Sequence, residues 1–388
     1  MTTGIDQIGF FTPDKYLDMV DLANARGVDP NKFLIGLGQR KMAVAEANQD
    51  AVSMGINACL DFWDDIDKDK IGLLVFGTES GVDQSKSAAL FVKKALGLAP
   101  QVRAFEIKEA CFGLTAGLLT AMDFVRLHPD KTALVIGADI ARYGLNTPGE
   151  VTQGAGAVAL LVKKDPAILA LDPETAAWSD DINDFWRPNT SQLAMVDGHY
   201  SQNIYLDFFE HVFGEYLAKK DLRPDDFAAI CYHLPFVKMG LKAARLVAAK
   251  SSDEVSARLN ANFDQSAEYC RQVGNIYTGS LYLGLLSLLE NGELKAGDRV
   301  GLFSYGSGAM AEFYSGQLVA GYEKHLHKAR HQELLARRSR VSVADYEKIF
   351  KKAADWLPKD ISFEAPRDAG LWYFAGQKDY VRKYKQAK

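Results

Sequence analysis

Short apolar runs alternate along the chain with longer segments of helical spacing, and this pattern predicts an α/β protein. The run at 70–78 is hydrophobic on both faces, which is typical of a strand in a sheet that is covered on both sides. Further strands are predicted at 5–11, 102–108, 131–141, 156–162, 227–232, 299–305 and 309–319. Helices are predicted at 14–26, 50–62, 83–98, 112–127, 200–219, 237–250, 252–272 and 278–290, and the tail from residue 321 is predicted to be mostly helical.

The segment that follows Cys111 carries apolar or small residues on every face, from Phe112 to Met122. A helix of that kind is normally buried, so Cys111 is predicted to lie at the junction between a strand and a central helix. The unpaired N–H groups and the dipole at a helix N-terminus favour a thiolate, and the thiolate fraction controls the reactivity of a cysteine. Cys111 is therefore a candidate nucleophile, although a buried and inert cysteine is the commoner case.

Four other polar residues fall at the ends of apolar strands or in glycine-rich turns, namely Glu79, His233, Asn275 and Ser307. Taken singly, each has an ordinary structural explanation, such as a helix cap, a satisfied core histidine or a turn residue. Together with Cys111 they match another pattern. It consists of a cysteine nucleophile, a histidine and an asparagine that bind a carbonyl group, and a separate carboxylate base.

The chain divides near Asp165-Pro166 into two halves that resemble each other in layout. Each half carries a strand-to-helix junction with a chemically reactive residue. Each also ends in a strand, a glycine-rich turn and a partner strand, at 131–162 and at 299–319. This echo predicts a duplicated unit with a pseudo-twofold arrangement. The expected domains are residues 1–165, with Glu79 and Cys111, and residues 166–388, with His233, Asn275 and the SYGSG turn.

The composition argues against several classes of function. A net charge of -5 over 388 residues does not favour nucleic acid as the main partner. The N-terminus lacks the regions of a signal peptide, and no segment is expected to approach the ~18 apolar residues of a membrane helix. The four cysteines are widely spaced, which favours free thiols in the cytoplasm. No GxGxxG or GxxxxGKS motif joins a strand to a helix, so no dinucleotide or P-loop site is expected.

Nine short segments stand out in order along the chain, namely FLIGLGQ, GTES, EACFG, ADIARYG, DFWRP, VDGHYS, HLPFVKMGLK, GNIYTGSLYLGL and SYGSG. With these segments the chain resembles the 3-hydroxy-3-methylglutaryl-CoA synthase family of the thiolase superfamily, over nearly its whole length. The wording of the segments is most similar to the bacterial branch of that family. The resemblance implies a thiolase-like α/β fold, in which two similar halves form layered sheets and helices, and it implies a homodimer.

The resemblance also implies an activity, the condensation of acetyl-CoA with acetoacetyl-CoA and water to give 3-hydroxy-3-methylglutaryl-CoA and CoA, for the mevalonate pathway of isoprenoid synthesis. Cys111 would carry the acetyl group, Glu79 would remove a proton from its methyl, and His233 would bind and protonate the ketone oxygen of acetoacetyl-CoA. Coenzyme A esters would be substrates, and neither a cofactor nor a metal is expected. The remaining implied site residues are Tyr143, Thr152, Asp184, Ser201, Asn275 and Ser307 for the acyl substrates, and Lys238 and Lys242 for the coenzyme A phosphates.

Other classes of protein stay open at this point. A chain-initiating β-ketoacyl-carrier-protein synthase also uses Cys, His and Asn, but its decarboxylating chemistry needs no base at Glu79. A thiolase needs a second cysteine, which Cys231 could mimic, and a zinc site at Cys111, Cys231 and His233 would lack a CxxC or HExxH motif. A catalytically inactive acyl-CoA-binding protein on the same fold would not require the reactive residues to be intact. The two lysines, four residues apart on one helix face, would without the resemblance be an ordinary solvated face.

Overall fold

The computed structural model describes residues 2–191, 193–354 and 357–388. The strands are β1 (Thr3–Phe11), β2 (Lys15–Asp18), β3 (Lys41–Val44), β4 (Ile71–Gly77), β5 (Arg103–Ile107), β6 (Thr132–Ala141), β7 (Gly154–Lys164), β8 (Leu169–Leu171), β9 (Ala176–Ser179), β10 (Phe185–Trp186), β11 (Met195–Val196), β12 (Ala229–Tyr232), β13 (Arg299–Gly306), β14 (Met310–Leu318), β15 (Ser339–Arg340), β16 (Ile361–Ser362), β17 (Trp372–Lys378) and β18 (Val381–Gln386). The helices are α1 (Met19–Ala25), α2 (Ala51–Cys59), α3 (Ala88–Ala95), α4 (Gly113–Leu127), α5 (Gly198–Lys220), α6 (Val237–Ala248), α7 (Asp253–Val273), α8 (Ser280–Asn291), α9 (Lys328–Ala336) and α10 (Val343–Ala354).

The main sheet contains the same strand arrangement twice, in the order β12-β13-β14-β8-β1-β7-β6-β4-β5, with β9 attached to β14. In the first half β4 and β6 are parallel, and β7 lies antiparallel between β6 and β1. In the second half β12 and β13 are parallel, and β14 lies antiparallel between β13 and β8. The two half-sheets join where β1 and β8 pair. This repeat confirms the prediction of two similar α/β halves.

Helices cover both faces of the first half-sheet, as the apolar pattern of β4 predicts. On one face Gly55 of α2 lies against the ring of Phe76. On the other face Gly117 of α4 lies against Val75. Because successive residues of a strand point to opposite faces, α2 and α4 enclose this half-sheet between them.

Helices α4 and α8 form a central layer between the two half-sheets. In β14, Phe313 packs against Phe213 of α5, with ring centroids 5.0 Å apart. The next residue, Tyr314, faces the other way and shares a hydrogen bond of 2.6 Å with Tyr282 of α8. Thr115 of α4 lies 2.7 Å from the same Tyr282 hydroxyl. The second half-sheet is therefore covered by α5 on its outer face and by α4 and α8 on its inner face.

The apolar character of α4 follows from this central place. The stretch Ala110–Leu127 is long and apolar enough to cross a membrane by length and composition alone, which the sequence analysis did not expect. Within it Leu114, Leu118 and Val125 are fully buried by the rest of the chain. The composition of α4 is thus accounted for by its burial in the protein core.

The first predicted helix starts later than the sequence pattern suggests. Lys15–Asp18 form β2, which pairs with β3 on one side and with β15 on the other. Helix α1 begins only at Met19, where the Asp18 carboxylate accepts a hydrogen bond of 2.9 Å from the N–H of Val20. The strand partners lie far away along the chain, so local helical spacing could not reveal them.

The tail also differs from the prediction of a mostly helical segment. It contains α9 and α10, but it ends in a three-stranded sheet of β16, β17 and β18. This sheet packs on the first half of the chain: Asn57 of α2 exchanges hydrogen bonds of 2.8 and 2.9 Å with the backbone of Trp372, and Arg382 pairs with Asp50 at 2.6 Å. The domain division at residue 165 stays a prediction, and these contacts cross it.

A buried charged triad joins three distant parts of the chain. The ring nitrogens of His331 lie 2.8 Å from the Asp61 carboxylate and 2.7 Å from that of Glu290. Burial opposes a charge on the imidazole, but the hydrogen bonds with the two carboxylates outweigh it and raise the pKa of His331 to about 9. A protonated imidazole donates to both carboxylates at once. The triad therefore ties α9 to α8 and to the segment after α2.

Replacing His331 with Gln is expected to destabilise the fold by about 3–5 kcal/mol near neutral pH, because it leaves the buried Glu290 carboxylate without a cation and Asp61 with Arg330 alone. The folded-state pKa of about 9 lies above the usual 6.5, so the contribution is complete below pH 6.5 and is lost as pH rises through about 9. Thermal unfolding midpoints of wild type and variant should therefore converge as the pH is raised. The exposed His199→Gln is the control, and a gap that stays constant with pH would contradict a charged triad.

Candidate active site

The residues predicted to be reactive lie at the carboxyl ends of parallel strands. Glu79 follows β4 and Cys111 follows β5, and these two strands are parallel neighbours. His233 follows β12 and Ser307 follows β13, which are parallel neighbours in the second half-sheet. The carboxyl end of a parallel strand is where α/β sheets place ligand-binding groups, so in each half the predicted residues occupy a chemically suitable position.

Cys111 and Glu79 are in direct contact. Cys111 lies two residues before Gly113, the first residue of α4, and its Sγ is 3.5 Å from Oε1 of Glu79. The preceding residue, Ala110, has a φ of 37°, a left-handed conformation that costs about 1–3 kcal/mol for a residue with a side chain. This turn connects β5 to the nucleophile and sets the direction of its side chain.

The electrostatic surroundings do not favour the resting thiolate that the sequence predicted. Burial raises the pKa of the Cys111 thiol well above its usual value, and the carboxylates of Glu79 and Asp139 raise it further. Burial and the charge of Asp139 likewise raise the pKa of Glu79 to about 8. Burial and two carboxylates thus outweigh the helix N-terminus, and the thiol donates its proton toward Glu79 instead of losing it to solvent.

Asp139, near the end of β6, is a site residue that the sequence analysis did not assign. It is fully buried, and burial raises the pKa of its carboxyl group. Its oxygens accept hydrogen bonds from the backbone N–H of Glu79 at 2.9 Å, from Thr78 Oγ1 at 2.9 Å and from Thr278 Oγ1 at 2.6 Å. Asp139 therefore fixes the loop that carries Glu79. A lone carboxylate in an otherwise apolar strand was the signal that could have identified it.

Two glycines allow the half-sheets to approach the nucleophile loop closely. A Cβ at Gly77 would lie 2.5 Å from the carbonyl carbon of Gly113. A Cβ at Gly306, in the SYGSG turn, would lie 2.8 Å from Cβ of Phe112 and 2.9 Å from the carbonyl oxygen of Glu109. Any side chain at these positions would push the loop away, so both halves of the chain shape the surroundings of Cys111.

Asn275 joins two of the other predicted residues in one cluster. Its side-chain N–H group lies 3.2 Å from the hydroxyl of Tyr143, and its backbone N–H donates to the carbonyl of Thr152 at 3.2 Å. Its side-chain oxygen accepts from the N–H of Tyr277 at 2.8 Å and from Ser280 Oγ at 2.9 Å. Asn275 therefore serves both as a cap near the start of α8 and as a support for Tyr143.

An apolar cluster lies beside the nucleophile. The rings of Tyr143, Phe185 and Tyr277 pack edge to face, with centroids 5.9–6.0 Å apart. Cys111 packs against the same cluster. These rings keep water away from one side of the thiol, which is consistent with its raised pKa.

Asp184 connects Ser201 with the glycine-rich turn that contains Ser307. It is fully buried, and its carboxylate accepts hydrogen bonds from Ser201 Oγ at 2.9 Å and from the Tyr305 hydroxyl at 2.8 Å. Its other oxygen accepts from the backbone N–H of Gly308 at 3.0 Å. Asp184 therefore anchors the turn to the start of α5.

His233 is held rigidly and is uncharged. Its backbone N–H donates to the carbonyl of Phe303 at 2.8 Å, and its backbone carbonyl accepts from the Tyr205 hydroxyl at 2.8 Å. Burial lowers the pKa of the imidazole to about 3, and its Nδ1 has no hydrogen-bond partner within the described ranges. Ser304, which follows Phe303, bonds to Thr115 of α4 at 2.8 Å. The strand beside His233 is thereby tied to the helix that follows Cys111.

Lys238 and Lys242 lie on the first turns of α6, just after His233 in the chain. Both are half-buried. Burial and the charge of Lys238 lower the pKa of Lys242, whose Nζ contacts the side-chain oxygen of Gln202, next to Ser201. Lys242 thus faces α5 near the site, which is not the arrangement of a freely solvated residue.

The alternative sites receive no support from the structure. Cys231 is fully buried in β12, and burial raises the pKa of its thiol, which suits a core cysteine. Among the residues that the structure describes, no group of three or more His, Cys, Asp or Glu is placed to hold a metal ion. The expectation that the protein works without a cofactor stays a prediction.

Comparisons with known proteins identify the family of this chain. The family model described as hydroxymethylglutaryl-coenzyme A synthase N terminal matches residues 1–167, and the corresponding C-terminal model matches residues 249–386. A hydroxymethylglutaryl-CoA synthase from Enterococcus faecalis is 50% identical over 359 residues, which cover 92% of this chain and 93% of that protein. These matches span most of both halves.

Solved structures show the same fold. A crystal structure of an HMG-CoA synthase complexed with CoA matches with a TM-score of 0.94 and 43% identity, covering 100% of both chains. MvaS in complex with 3-hydroxy-3-methylglutaryl coenzyme A matches with a TM-score of 0.91 and 38% identity, covering 100% of this chain and 99% of the other. The fold is thus thiolase-like, and the chain belongs to the hydroxymethylglutaryl-CoA synthase family of carbon–carbon bond-forming acyltransferases.

Proposed function

We propose that this protein condenses acetyl-CoA with acetoacetyl-CoA and water to give 3-hydroxy-3-methylglutaryl-CoA and CoA, through an acetyl group carried on Cys111. The observation that carries the proposal is the distance of 3.5 Å between the Cys111 sulfur and the Glu79 carboxylate. An acetyl group on that sulfur would hold its methyl beside a base. Membership of the family supports coenzyme A esters as substrates, and the product would feed the mevalonate route to isoprenoids.

Acetyl transfer is the first step. The Cys111 sulfur attacks the thioester carbonyl, the bond to the coenzyme A sulfur breaks, and the thiol proton leaves with coenzyme A. The oxyanion that forms needs fixed N–H donors. The N–H of Gly308 already donates to Asp184 at 3.0 Å, and that of Ala309 donates to a backbone carbonyl at 2.8 Å. We therefore assign the oxyanion contact to the backbone N–H groups of Cys111 and Ser307.

Glu79 then removes a proton from the acetyl methyl. Its raised pKa of about 8 makes the ionised carboxylate a stronger base than an exposed glutamate. Acetylation also removes the thiol hydrogen from its neighbour, so the carboxylate faces the methyl. The enolate carbon attacks the ketone carbon of acetoacetyl-CoA and forms the new carbon–carbon bond. The C3 oxygen takes up a proton from water and Glu79 releases the methyl proton to water, so the number of protons is unchanged.

His233 is assigned to the ketone oxygen of acetoacetyl-CoA. Because burial lowers its pKa to about 3, the imidazole is neutral at physiological pH and acts as a hydrogen-bond donor, whereas the resemblance implied an acid that protonates the ketone oxygen. Its N–H polarises the ketone before the bond forms and stabilises the oxyanion as it develops. Asn275 supports this step indirectly by holding Tyr143 in place.

Hydrolysis of the thioester completes the catalytic cycle. Water attacks the thioester on Cys111, the carbon–sulfur bond breaks, and the product leaves with a new carboxylate while the thiol regains its proton.

Lys238 and Lys242 at the start of α6 bind the coenzyme A phosphates as compact positive charges.

We also propose that the protein is a cytoplasmic homodimer without a membrane or nucleic-acid partner. Strand β5 lies at the edge of the main sheet, and an edge strand offers unpaired backbone groups to a second copy. All four cysteines are free thiols, which suits a reducing compartment. The mild net charge of -5 supports the absence of nucleic acid.

Incubation with acetyl-CoA is expected to add one acetyl group to the peptide that carries Cys111. Cys111→Ser should lose both this label and turnover, because a hydroxyl ionises far less readily than a thiol. Mass spectrometry of the peptide and an assay of coenzyme A release test the two effects, with Cys231→Ala as a control that keeps both. A stable label on another residue of the Cys111 variant would place the nucleophile elsewhere.

Glu79→Gln should still form acetyl-Cys111 but should lose condensation by ~10²–10⁴-fold, since an amide cannot accept the methyl proton. Loss of the negative charge next to the sulfur lowers the pKa of the thiol, so acetylation should not slow. The mass of the Cys111 peptide and the consumption of acetoacetyl-CoA are measured on one preparation. Glu109→Gln, which alters a carboxylate on the same loop, is the matched control. Near-wild-type condensation by Glu79→Gln would show that Glu79 is not the base.

His233→Ala should weaken the reaction with acetoacetyl-CoA by roughly 10²-fold while leaving acetylation by acetyl-CoA nearly intact. Because the pKa of His233 is about 3, titration of this histidine should cause no change in the rate of wild-type condensation between about pH 5 and 7. Rapid-quench measurement of each half-reaction across this range provides the check. Equal damage to both half-reactions would instead assign His233 to the activation of Cys111.

A further inference from the structure

Arg187 contacts the candidate base through the carboxylate oxygen that Cys111 does not touch. Its Nη2 lies 3.9 Å from Oε2 of Glu79, whereas Cys111 lies against Oε1. The same nitrogen donates a hydrogen bond to the backbone carbonyl of Glu79. The guanidinium therefore contacts both the main chain and the side chain of one residue.

Most other groups around Glu79 oppose its ionisation. Burial has the largest effect, and the carboxylates of Asp139 and Glu109 also raise the pKa of Glu79. Arg187 and the hydrogen bond from Cys111 act in the opposite direction. The Cys111 hydrogen bond disappears when the sulfur is acetylated, so at the moment of condensation the guanidinium is the group that still favours the carboxylate.

The position of Arg187 is fixed by the hairpin of β10 and β11. Phe185 of this hairpin packs on Tyr143 and Tyr277, and the neighbouring Asp184 anchors the glycine-rich turn. Arg187 itself lines a groove of about 720 Å³ that borders Glu79. Its side chain is 22% exposed and that of Glu79 is 7% exposed, so water screens the pair only partly.

We propose that Arg187 is a positioning residue for the condensation step, which holds the Glu79 carboxylate ionised and directed at the acetyl group on Cys111. This inference rests on the proposed role of Glu79 as the base. Arg187 acts through Glu79 and does not touch the substrate. Acetyl transfer needs no ionised Glu79, whereas deprotonation of the methyl does, so the two half-reactions depend on Arg187 to different extents.

Two substitutions separate the charge from the hydrogen bond. Arg187→Gln keeps an N–H donor for the Glu79 carbonyl but removes the charge, and Arg187→Lys keeps the charge. An opposite charge near an acid lowers its pKa by about 1–3 units. The pH profile of condensation by Arg187→Gln should therefore move to higher pH by about one unit. The rate would then fall ~10-fold at pH 7 and recover toward wild type above about pH 9.

The measurement is single-turnover condensation of pre-acetylated enzyme with acetoacetyl-CoA between about pH 6 and 10, with Cys111 acetylation followed in parallel. Arg187→Lys should keep the wild-type profile, and acetylation should be unchanged in both variants. Lys108→Gln, which removes an exposed cation lining the same groove, is the matched control and should behave as wild type.

The role of Arg187 would be overturned if the pH profile of condensation by Arg187→Gln did not shift. It would also be overturned if Arg187→Gln lost the same share of its condensation rate at every pH and Arg187→Lys did not restore that rate. If Arg187→Gln does not fold, Arg187→Met takes its place and the same shift is required. A wild-type protein that acetylates Cys111 but never consumes acetoacetyl-CoA would overturn the proposed function, and this inference with it. A wild type that condenses normally, with no shift in the variants, would overturn only the inference.

Discussion

A carboxylate buried beside a thiol is the contact on which the rest of the site depends. Burial alone would keep the Glu79 carboxyl group protonated. It would also keep the proton on the Cys111 sulfur, which lies 3.5 Å away. Two neighbouring residues position this pair for catalysis. The Asp139 carboxylate fixes the Glu79 loop by accepting a hydrogen bond from the backbone N–H of Glu79, and Arg187 approaches the free carboxylate oxygen of Glu79. Asp139 lies in β6 and Arg187 directly after β10, so the pair functions only in the assembled fold.

The same burial moves the two titratable groups assigned to condensation in opposite directions. It raises the pKa of Glu79 to about 8 and lowers that of His233 to about 3, because a low-dielectric pocket penalises a carboxylate and an imidazolium alike. The outcome is a strong base after a strand of the first half-sheet and a neutral hydrogen-bond donor after a strand of the second. Environment, more than residue type, therefore decides which group takes a proton and which polarises the ketone.

Close packing of both half-sheets around the nucleophile loop makes this arrangement rigid. Gly77 and Gly306 let strands from both halves approach the 109–113 loop, and the left-handed turn at Ala110 is held there. Helices α4 and α8 lie between the half-sheets, and the hydroxyl contacts of Thr115, Tyr282 and Tyr314 join the layers. The large apolar core offsets the local strain, as is usual at functional sites.

The sequence by itself determined the α/β class, most long strands and helices, and the candidates Glu79, Cys111 and His233. These features depend on local periodicity or on strand ends, which a linear pattern carries. Only the tertiary structure decided β2, the sheet of the tail, and the roles of Asp139 and Arg187, because their partners lie far away in the chain. It also decided the charge at Cys111. A helix N-terminus offers about half a unit charge, whereas burial and the carboxylates of Glu79 and Asp139 favour the neutral thiol, and no linear pattern shows how many carboxylates will surround one sulfur.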